Sequence, residues 1–347
     1  MKVAIISDTH FGARKNSKIF HDYFKEFYDN VFFPTLDKEG IKTVIHMGDV
    51  FDSRKGIDFS ALSWAKNNVF DPIKERGIHL HLLVGNHDAY YKNSNEINAI
   101  DTLLQQYFNV VRVSKPAEYI IEGMKTVLLP WICTDNENET FELLEKTEAK
   151  VVFGHLELNG FTVYPGQYQQ EGLDKKVFQK FDRVYSGHYH TRSDDGKIFY
   201  LGNPYQMFWN DVDDIRGFNI FDTNEYELEK FHNPYSMFER IYYDETNYKK
   251  FDTSYLTNKM VKIVVRKKED HLKFDKFVDS IIKVNPLELK IVENIDVFDD
   301  DVDCSDITTE DTLGILDKYV QEADFDLNKD MVKKLLRDVY KEALEIE

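Results

Sequence analysis

The sequence predicts an α/β fold: a β-sandwich flanked by helices, followed by a small α+β domain and a C-terminal helical hairpin. Three patterns carry this prediction. Short β-branched runs alternate with amphipathic stretches of helical spacing over the first two thirds of the chain. Short strands and turns replace long helices between Arg183 and Tyr243, and a strand–helix–strand pattern begins after Asp244. With 347 residues there is room for one large domain or two to three smaller ones, and a hydrophobic content of 42% is enough to fill a core.

Taken in order, Val3–Ile6, Thr43–His46, His79–Val84, Val127–Leu129 and Val151–Phe153 read as buried strands. Between them, Ser17–Phe33 places Ile19, Phe20, Tyr23, Phe24, Phe27, Tyr28 and Val31 at helical spacing, and Phe59–Ile73 and Asn95–Phe108 also read as helices. Val184–Tyr185, Ile198–Leu201, Phe218–Phe221 and Ile241–Tyr243 then complete the sandwich, with an expected mainly antiparallel second half. This gives a first domain over 1–243. A second, over 244–295, contains a strand at Met260–Val265, a helix at Leu272–Val284 and a strand at Leu287–Val292. Residues 296–307 form an acidic run read as a solvated linker, since its charges repel and offer nothing to a core. Residues 308–347 read as a helical hairpin with apolar stripes on Leu313, Leu316, Tyr319 and Val320 and on Met331, Leu335, Leu336, Val339, Tyr340 and Leu344.

Composition excludes several classes. Lys plus Arg number 44 against 62 Asp plus Glu, a net charge of −18, which argues against a basic coat gripping nucleic acid non-specifically. A polyanionic substrate must then be held by local charge or by metal ions. Two cysteines, Cys133 and Cys304, lie far apart without a CxxC pattern, which excludes a disulfide scaffold and a cysteine-based zinc site. No membrane-length apolar run and no signal-like N-terminus occur, so a cytoplasmic protein is expected.

Five clusters stand where predicted strands end: Asp8-Thr9-His10, Gly48-Asp49-Val50-Phe51-Asp52, Gly85-Asn86-His87-Asp88, Gly154-His155 and Gly187-His188-Tyr189-His190. In open α/β sheets the crevice beyond the carboxyl ends of the strands is where ligands bind, so these distant residues are expected to converge there. Asp, His and Asn without thiolates suit Mn²⁺, Fe²⁺ or Zn²⁺ rather than Ca²⁺. The ligands exceed what one ion needs and suit two ions about 3.5–4 Å apart, bridged by one carboxylate. Arg14, Lys15, Arg54, Lys55 and Arg192 follow these motifs within a few residues and are expected to ring the crevice as contacts for a phosphate backbone. His21, His46, His79, His81, His232 and His271 belong to no cluster and read as structural or surface histidines.

The ordered set DxH, GDxxD, GNHD, GH and GHxH resembles the calcineurin-like metallophosphoesterase superfamily, and within it the SbcD-type nuclease branch, the phage recombination endonuclease subunits in particular. The resemblance implies a metallophosphoesterase domain over 1–243, a DNA-capping domain over 244–295 and an ATPase-binding hairpin over 308–347. It places one metal on Asp8, His10, Asp49 and His190, and a second on Asp49, Asn86, His155 and His188. It makes His87 the proton donor to the leaving group, with Asp88 orienting it. Asp52 stands where some relatives carry a second histidine. The implied activity is a 3′→5′ exonuclease on duplex DNA with endonuclease action on single strands, preferring Mn²⁺, partnered by an SMC-like coiled-coil ATPase. A homodimer is implied too, with Phe59, Leu62, Trp64, Ile97, Ile100 and Leu104 as the apolar surface. If phage-encoded, it would act in the host cytoplasm. The competing readings are a phosphatase or phosphodiesterase for a non-DNA ester, and a non-enzymatic scaffold, which the filled ligand positions disfavour.

Overall fold

The computed structural model describes residues 1–164, 166–244 and 251–293, together with 320, 329, 331–333 and 336. The linker over 296–307 therefore lies outside the described residues, as does nearly all of the hairpin over 308–347. The chain divides into two compact units, Met1–Ile295 and Asp296–Glu347.

In the first unit, two six-stranded sheets face each other. One runs in the order Leu228–His232, Gly217–Asp222, Lys2–Ile6, Thr43–His46, His79–Leu83, Val110–Val113. The other runs Ser193–Asp194, Ile198–Tyr200, Arg183–Gly187, Val151–His155, Met124–Leu129, Ala117–Ile121. Alternation along the first strand shows how the layers form. Val3 and Ile5 point between the sheets, onto Phe153, Tyr185 and Phe221, while Ala4 and Ile6 point outward to a helical layer. The second sheet does the same, with Leu128 and Phe153 facing inward and Val127, Val152 and Val184 facing outward under Leu144, Phe178 and Phe181. The result is helix, sheet, sheet and outer layer, in agreement with the fold class expected from sequence.

The helical layer is aromatic. Phe20, Tyr23, Phe24 and Phe27 share the buried face of Lys18–Phe27, and Phe24 stacks on Tyr205 at 3.8 Å between ring centroids. That helix passes through a wider π turn at Tyr28–Phe32 before Phe33–Glu39, and a second π turn at Lys66–Phe70 precedes Asp71–Glu75. Each π turn ends two residues before a proline, Pro34 or Pro72, whose missing N–H removes an ordinary helical hydrogen bond.

Three expectations are corrected. The strands after Arg183 are mixed, not mainly antiparallel: Ser193–Asp194, Gly217–Asp222 and Leu228–His232 pair antiparallel, but Arg183–Gly187 pairs in parallel with Ile198–Tyr200 and Val151–His155, as the latter does with Met124–Leu129. The helix Glu137–Lys146 supplies the crossover that a parallel neighbour requires. The helix expected over Asn95–Phe108 shrinks to Ala99–Leu103, because Ser94–Asn98 pairs with Ala89–Tyr91 as a hairpin. There the Asn98 side chain accepts from the Asp101 N–H and starts the helix late. Finally, Phe238–Tyr243 does not close the sandwich. It pairs in parallel with Met260–Val265, which pairs in parallel with Glu288–Glu293. The helix His271–Ile282 covers this small sheet through Phe274, Phe277 and Ile281.

Candidate metal centre

Five parallel strands from the two sheets end at one rim, and their last residues or the turns just beyond them carry the five motifs. The first two loops are zipped together by backbone bonds: Asp8 N–H to Gly48 O at 3.1 Å, His10 N–H to Asp49 O at 3.1 Å and Phe11 N–H to Val50 O at 2.8 Å. To turn this sharply, Asp8, His10, Asp49 and His188 all take positive φ, at 52°, 43°, 53° and 84°. That region disfavours side chains by about 1 kcal/mol or more each and recurs at functional sites. Gly85 is required by contact: a Cβ there would sit 2.2 Å from Asp49 Oδ1.

Donor atoms gather in overlapping groups, each within 4.8 Å: Asp8, His10 and His190; His10, Asp49 and His87; and Asp49, His155 and His188. Asp49 Oδ2 lies 3.7 Å from His10 Nε2 and 3.4 Å from His155 Nε2, between the outer two groups. Asn86 Oδ1 lies 2.8 Å from His155 Nε2 and 3.0 Å from His188 Nδ1. The seven residues expected as ligands are thus brought together.

Hydrogen bonding tests whether this set fits cations. His155 Nδ1 is 2.9 Å from the Met47 carbonyl, so that nitrogen carries the proton and Nε2 is left facing two oxygens, from Asn86 and Asp49. Nε2 can meet these oxygens only by carrying a second proton or by sharing a cation with them. His10 Nε2 and His190 Nε2 likewise meet at 3.1 Å. Burial opposes charging His155, yet Asp49, Asp8 and the Met47 carbonyl outweigh it and push its pKa up to about 9. For His10, burial is outweighed by the Asp52 hydrogen bond and the charges of Asp49, Asp52 and Asp8, again to about 9. Burial, then neighbouring His155, pulls His188 down to about 3. Two acids amid five imidazoles therefore demand positive charge at two places, and the oxygen and nitrogen donors fit divalent ions.

The remaining predicted residues separate. Asp88, expected to orient His87, instead accepts at its carboxylate from Val50 N–H at 3.0 Å, Phe51 N–H at 3.2 Å and Gly85 N–H at 2.9 Å. Burial and the charge of Asp49 push Asp88 up to about 7, against the pull of those amides. The His87 ring is held by Asp52, whose carbonyl lies 2.6 Å from Nδ1, while His87 N–H donates to Asp49 Oδ1 at 2.8 Å. Lys15 and Lys55 are exposed, Arg54 is half-buried, and Arg14 lies over the Phe20 and Phe208 rings. Arg192 does not ring the crevice: all three guanidinium nitrogens are shut off from solvent, near Asp214. Ile100 and Leu104, expected on a dimer surface, are core residues; Leu62 and Trp64 pack on that core, and Phe59 and Ile97 stay exposed.

Sequence reasoning missed three contributors. Buried His46 accepts the Gly48 N–H at Nδ1, which leaves Nε2–H to donate to Thr9 Oγ1 at 3.0 Å, and that hydroxyl donates on to Val50 O. Trp131 walls one side, 5.1 Å from His188 and 6.1 Å from His155 between ring centroids. Tyr205 Oη donates to Thr9 O at 2.7 Å, tying the first loop to the aromatic helical layer. A histidine two residues before a Gly-Asp turn was the available signal for His46; the other two carried none.

A helix-flanked double sheet with Asp, Asn and His gathered at its strand ends is the architecture of a metal-dependent phosphoesterase. The chain belongs to the calcineurin-like phosphoesterase family, whose model matches residues 1–192. It is 32% identical over 284 residues to Exonuclease subunit 1 of Enterobacteria phage T4, covering 82% of this chain and 81% of that relative. To the DNA double-strand break repair protein Mre11 of Saccharolobus solfataricus it is 26% identical over 247 residues, 66% of this chain and 60% of that protein. The Mre11 protein of Sulfolobus acidocaldarius is 25% identical over 232 residues, 62% of this chain and 58% of that one. Among the described residues no helix is long and apolar enough to cross a membrane.

Proposed function

We propose that this chain is a DNA nuclease of recombination and repair, hydrolysing phosphodiester bonds with two divalent metal ions. The observation that carries the reading is the position of Asp49 Oδ2 between the two outer donor groups, 3.7 Å from His10 and 3.4 Å from His155. Asp8, His10, Asp49 and His190 would hold one ion, and Asp49, Asn86, His155 and His188 the other. Such ions neutralise charge on a scissile phosphate and make water a nucleophile at neutral pH. Everything else falls to the chain. The Asp52 carbonyl accepts a hydrogen bond from His87 Nδ1–H, which orients the ring so that its imidazolium form can give the Nε2 proton to the departing sugar oxygen and be left as the neutral Nδ1–H imidazole. Lys15, Arg54 and Lys55, on loops beside the centre, would meet flanking phosphates, with a local potential opposing the net −18. A mixed carboxylate, amide and imidazole set favours Mn²⁺, with Fe²⁺ or Zn²⁺ as alternatives.

DNA is preferred over a small ester because the relatives are an exonuclease subunit and double-strand break repair proteins. From the resemblance of the motifs to the SbcD-type nuclease branch we further propose 3′→5′ digestion of duplex DNA, internal cutting of single strands, and work in the cytoplasm, of the host if the chain is phage-encoded. The partners are an SMC-like ATPase, met through residues 308–347, and a second copy of this chain. The unit over 244–295 would cap the DNA, and 296–307 would serve as a linker. The test is a gel of end-labelled duplex and single-stranded DNA with Mn²⁺, Mg²⁺ or chelator, beside a p-nitrophenyl phosphodiester. Metal-dependent loss of DNA is expected; hydrolysis of the small ester alone would move the assignment to a phosphodiesterase of another substrate.

A further inference from the structure

We propose that Arg216 is a positioning residue for the metal centre, bracing His190 and through it one of the two ion positions. The inference rests on the reading of His190 as a metal ligand. Arg216 is 4% exposed, deep beneath the loop that carries His190. Its Nη1 donates to the His190 carbonyl and to Asn203 Oδ1. Its Nη2 donates to Asp211 Oδ1 at 2.8 Å and lies 3.0 Å from Asp214 Oδ2. Two acids thus set the plane of the guanidinium, and the guanidinium, together with the Asn203 N–H at 3.4 Å, holds the His190 carbonyl. The brace is itself anchored, since Asp211 Oδ2 accepts from Met207 N–H at 2.6 Å and Phe208 N–H at 2.9 Å. Close approach is built in at Gly202, with φ of 70°, where a Cβ would stand 2.7 Å from the His190 carbonyl oxygen.

This arrangement exceeds what folding alone asks of the position. A buried cation needs its acids, but it does not need to turn a fork donor to the backbone carbonyl of His190, the residue whose ring faces His10 at 3.1 Å. Planar, two-pronged donation is what arginine provides and lysine does not. Groups one step removed from a metal commonly shift its affinity by about 10–100-fold.

The experiment is Mn²⁺ titration of the full chain by calorimetry and electron paramagnetic resonance, alongside thermal unfolding. Arg216→Lys keeps a charge for Asp211 and Asp214 but cannot make the fork. It is expected to weaken one Mn²⁺ site by about 10-fold or more and leave the other within about twofold. In a His190→Ala background, where that ligand is already gone, the same substitution should change Mn²⁺ uptake no further. Asp214→Asn, at a less buried position, is the second variant should Arg216→Lys fail to fold; it is expected to weaken the same site by a few fold. Unchanged binding at both sites in folded variants, or equal weakening of both, would overturn the brace. Wild-type protein that takes up no Mn²⁺ would overturn the metal-centre reading itself, and the brace with it.

Discussion

Asp88 Oδ1 accepts the backbone N–H of Val50 at 3.0 Å, stitching the loop that carries His87 to the loop that carries Asp49. The same carboxylate also holds the amides of Phe51 and Gly85, so one buried side chain fixes the spacing of two ligand-bearing turns. Asp88→Ala leaves three buried donors without partners. At about 1–3 kcal/mol for each such group, a loss of at least about 3 kcal/mol is expected in urea unfolding. Asp88→Asn, which keeps an acceptor oxygen, should lose less. If Asp88 instead served chiefly to orient His87, both variants would be near wild-type in stability and lose only rate.

Asp49→Ala removes the one carboxylate set between both donor groups. Uptake of both Mn²⁺ ions and nearly all hydrolysis should be lost together. Calorimetric stoichiometry checks this, and a variant retaining one tightly bound ion would show that Asp49 serves a single position.

His87→Ala separates proton donation from metal holding. His87 Nδ1 is committed to the Asp52 carbonyl, and its backbone N–H supports Asp49 Oδ1 whatever the side chain. Mn²⁺ stoichiometry should therefore stay at two while the rate falls by about 10²–10⁴, the usual worth of a general acid. Loss of an ion in this variant would recast His87 as a ligand.

How much of this was legible before the structure depends on the range of the interaction. Asp8, Asp49, Asn86, His155, His188 and His190 could be named because each stands at a strand's end or within three residues beyond it, and strand ends converge by topology. The two-layer sheet was legible from Val3–Ile6 and Val151–Phe153, whose residues are buried on both faces. Strand direction was not, since Val151–His155 and Arg183–Gly187 have the composition of either kind, and only the path of the connection decides. Ile97, Ile100 and Leu104 mimic a helical stripe, yet the chain up to Asn98 pairs as a strand. Arg216 was out of reach because its partner His190 is 26 residues away. Arg192 misled because proximity in sequence to a metal motif does not say whether a cation faces the crevice or the protein.

Removal of residues 306–347 tests the partner assignment. In the sequence Leu313, Leu316 and Tyr319, and Leu335, Val339 and Leu344, recur at helical spacing, and the proposal gives these apolar positions to the ATPase. The family fold and all the donor residues lie upstream. The truncated chain should keep metal-dependent nuclease activity and lose binding to the ATPase. Co-purification with the ATPase at unchanged affinity would remove the hairpin from that role.

His81 gives a pH dependence that is independent of the metal centre. It lies between Ile45 and Val111 in the first sheet and meets the Tyr119 ring at 5.7 Å, and its Nδ1 has no hydrogen-bond partner among the described residues. Burial, with a smaller push from His79, lowers its pKa to about 4, against 6.5 for an ordinary histidine. Between these values the unfolded chain binds a proton that the folded chain refuses, so its contribution is fully present above pH 6.5 and is lost as pH falls toward 4. From pH 7.5 to pH 5 the loss from this residue should be about 1–2 kcal/mol. His81→Phe keeps a ring against Tyr119 and removes the titration. Urea unfolding at the two pH values should therefore show a smaller acid loss in the variant by that amount. An identical loss in both proteins would mean that His81 takes up its proton in the folded state without penalty.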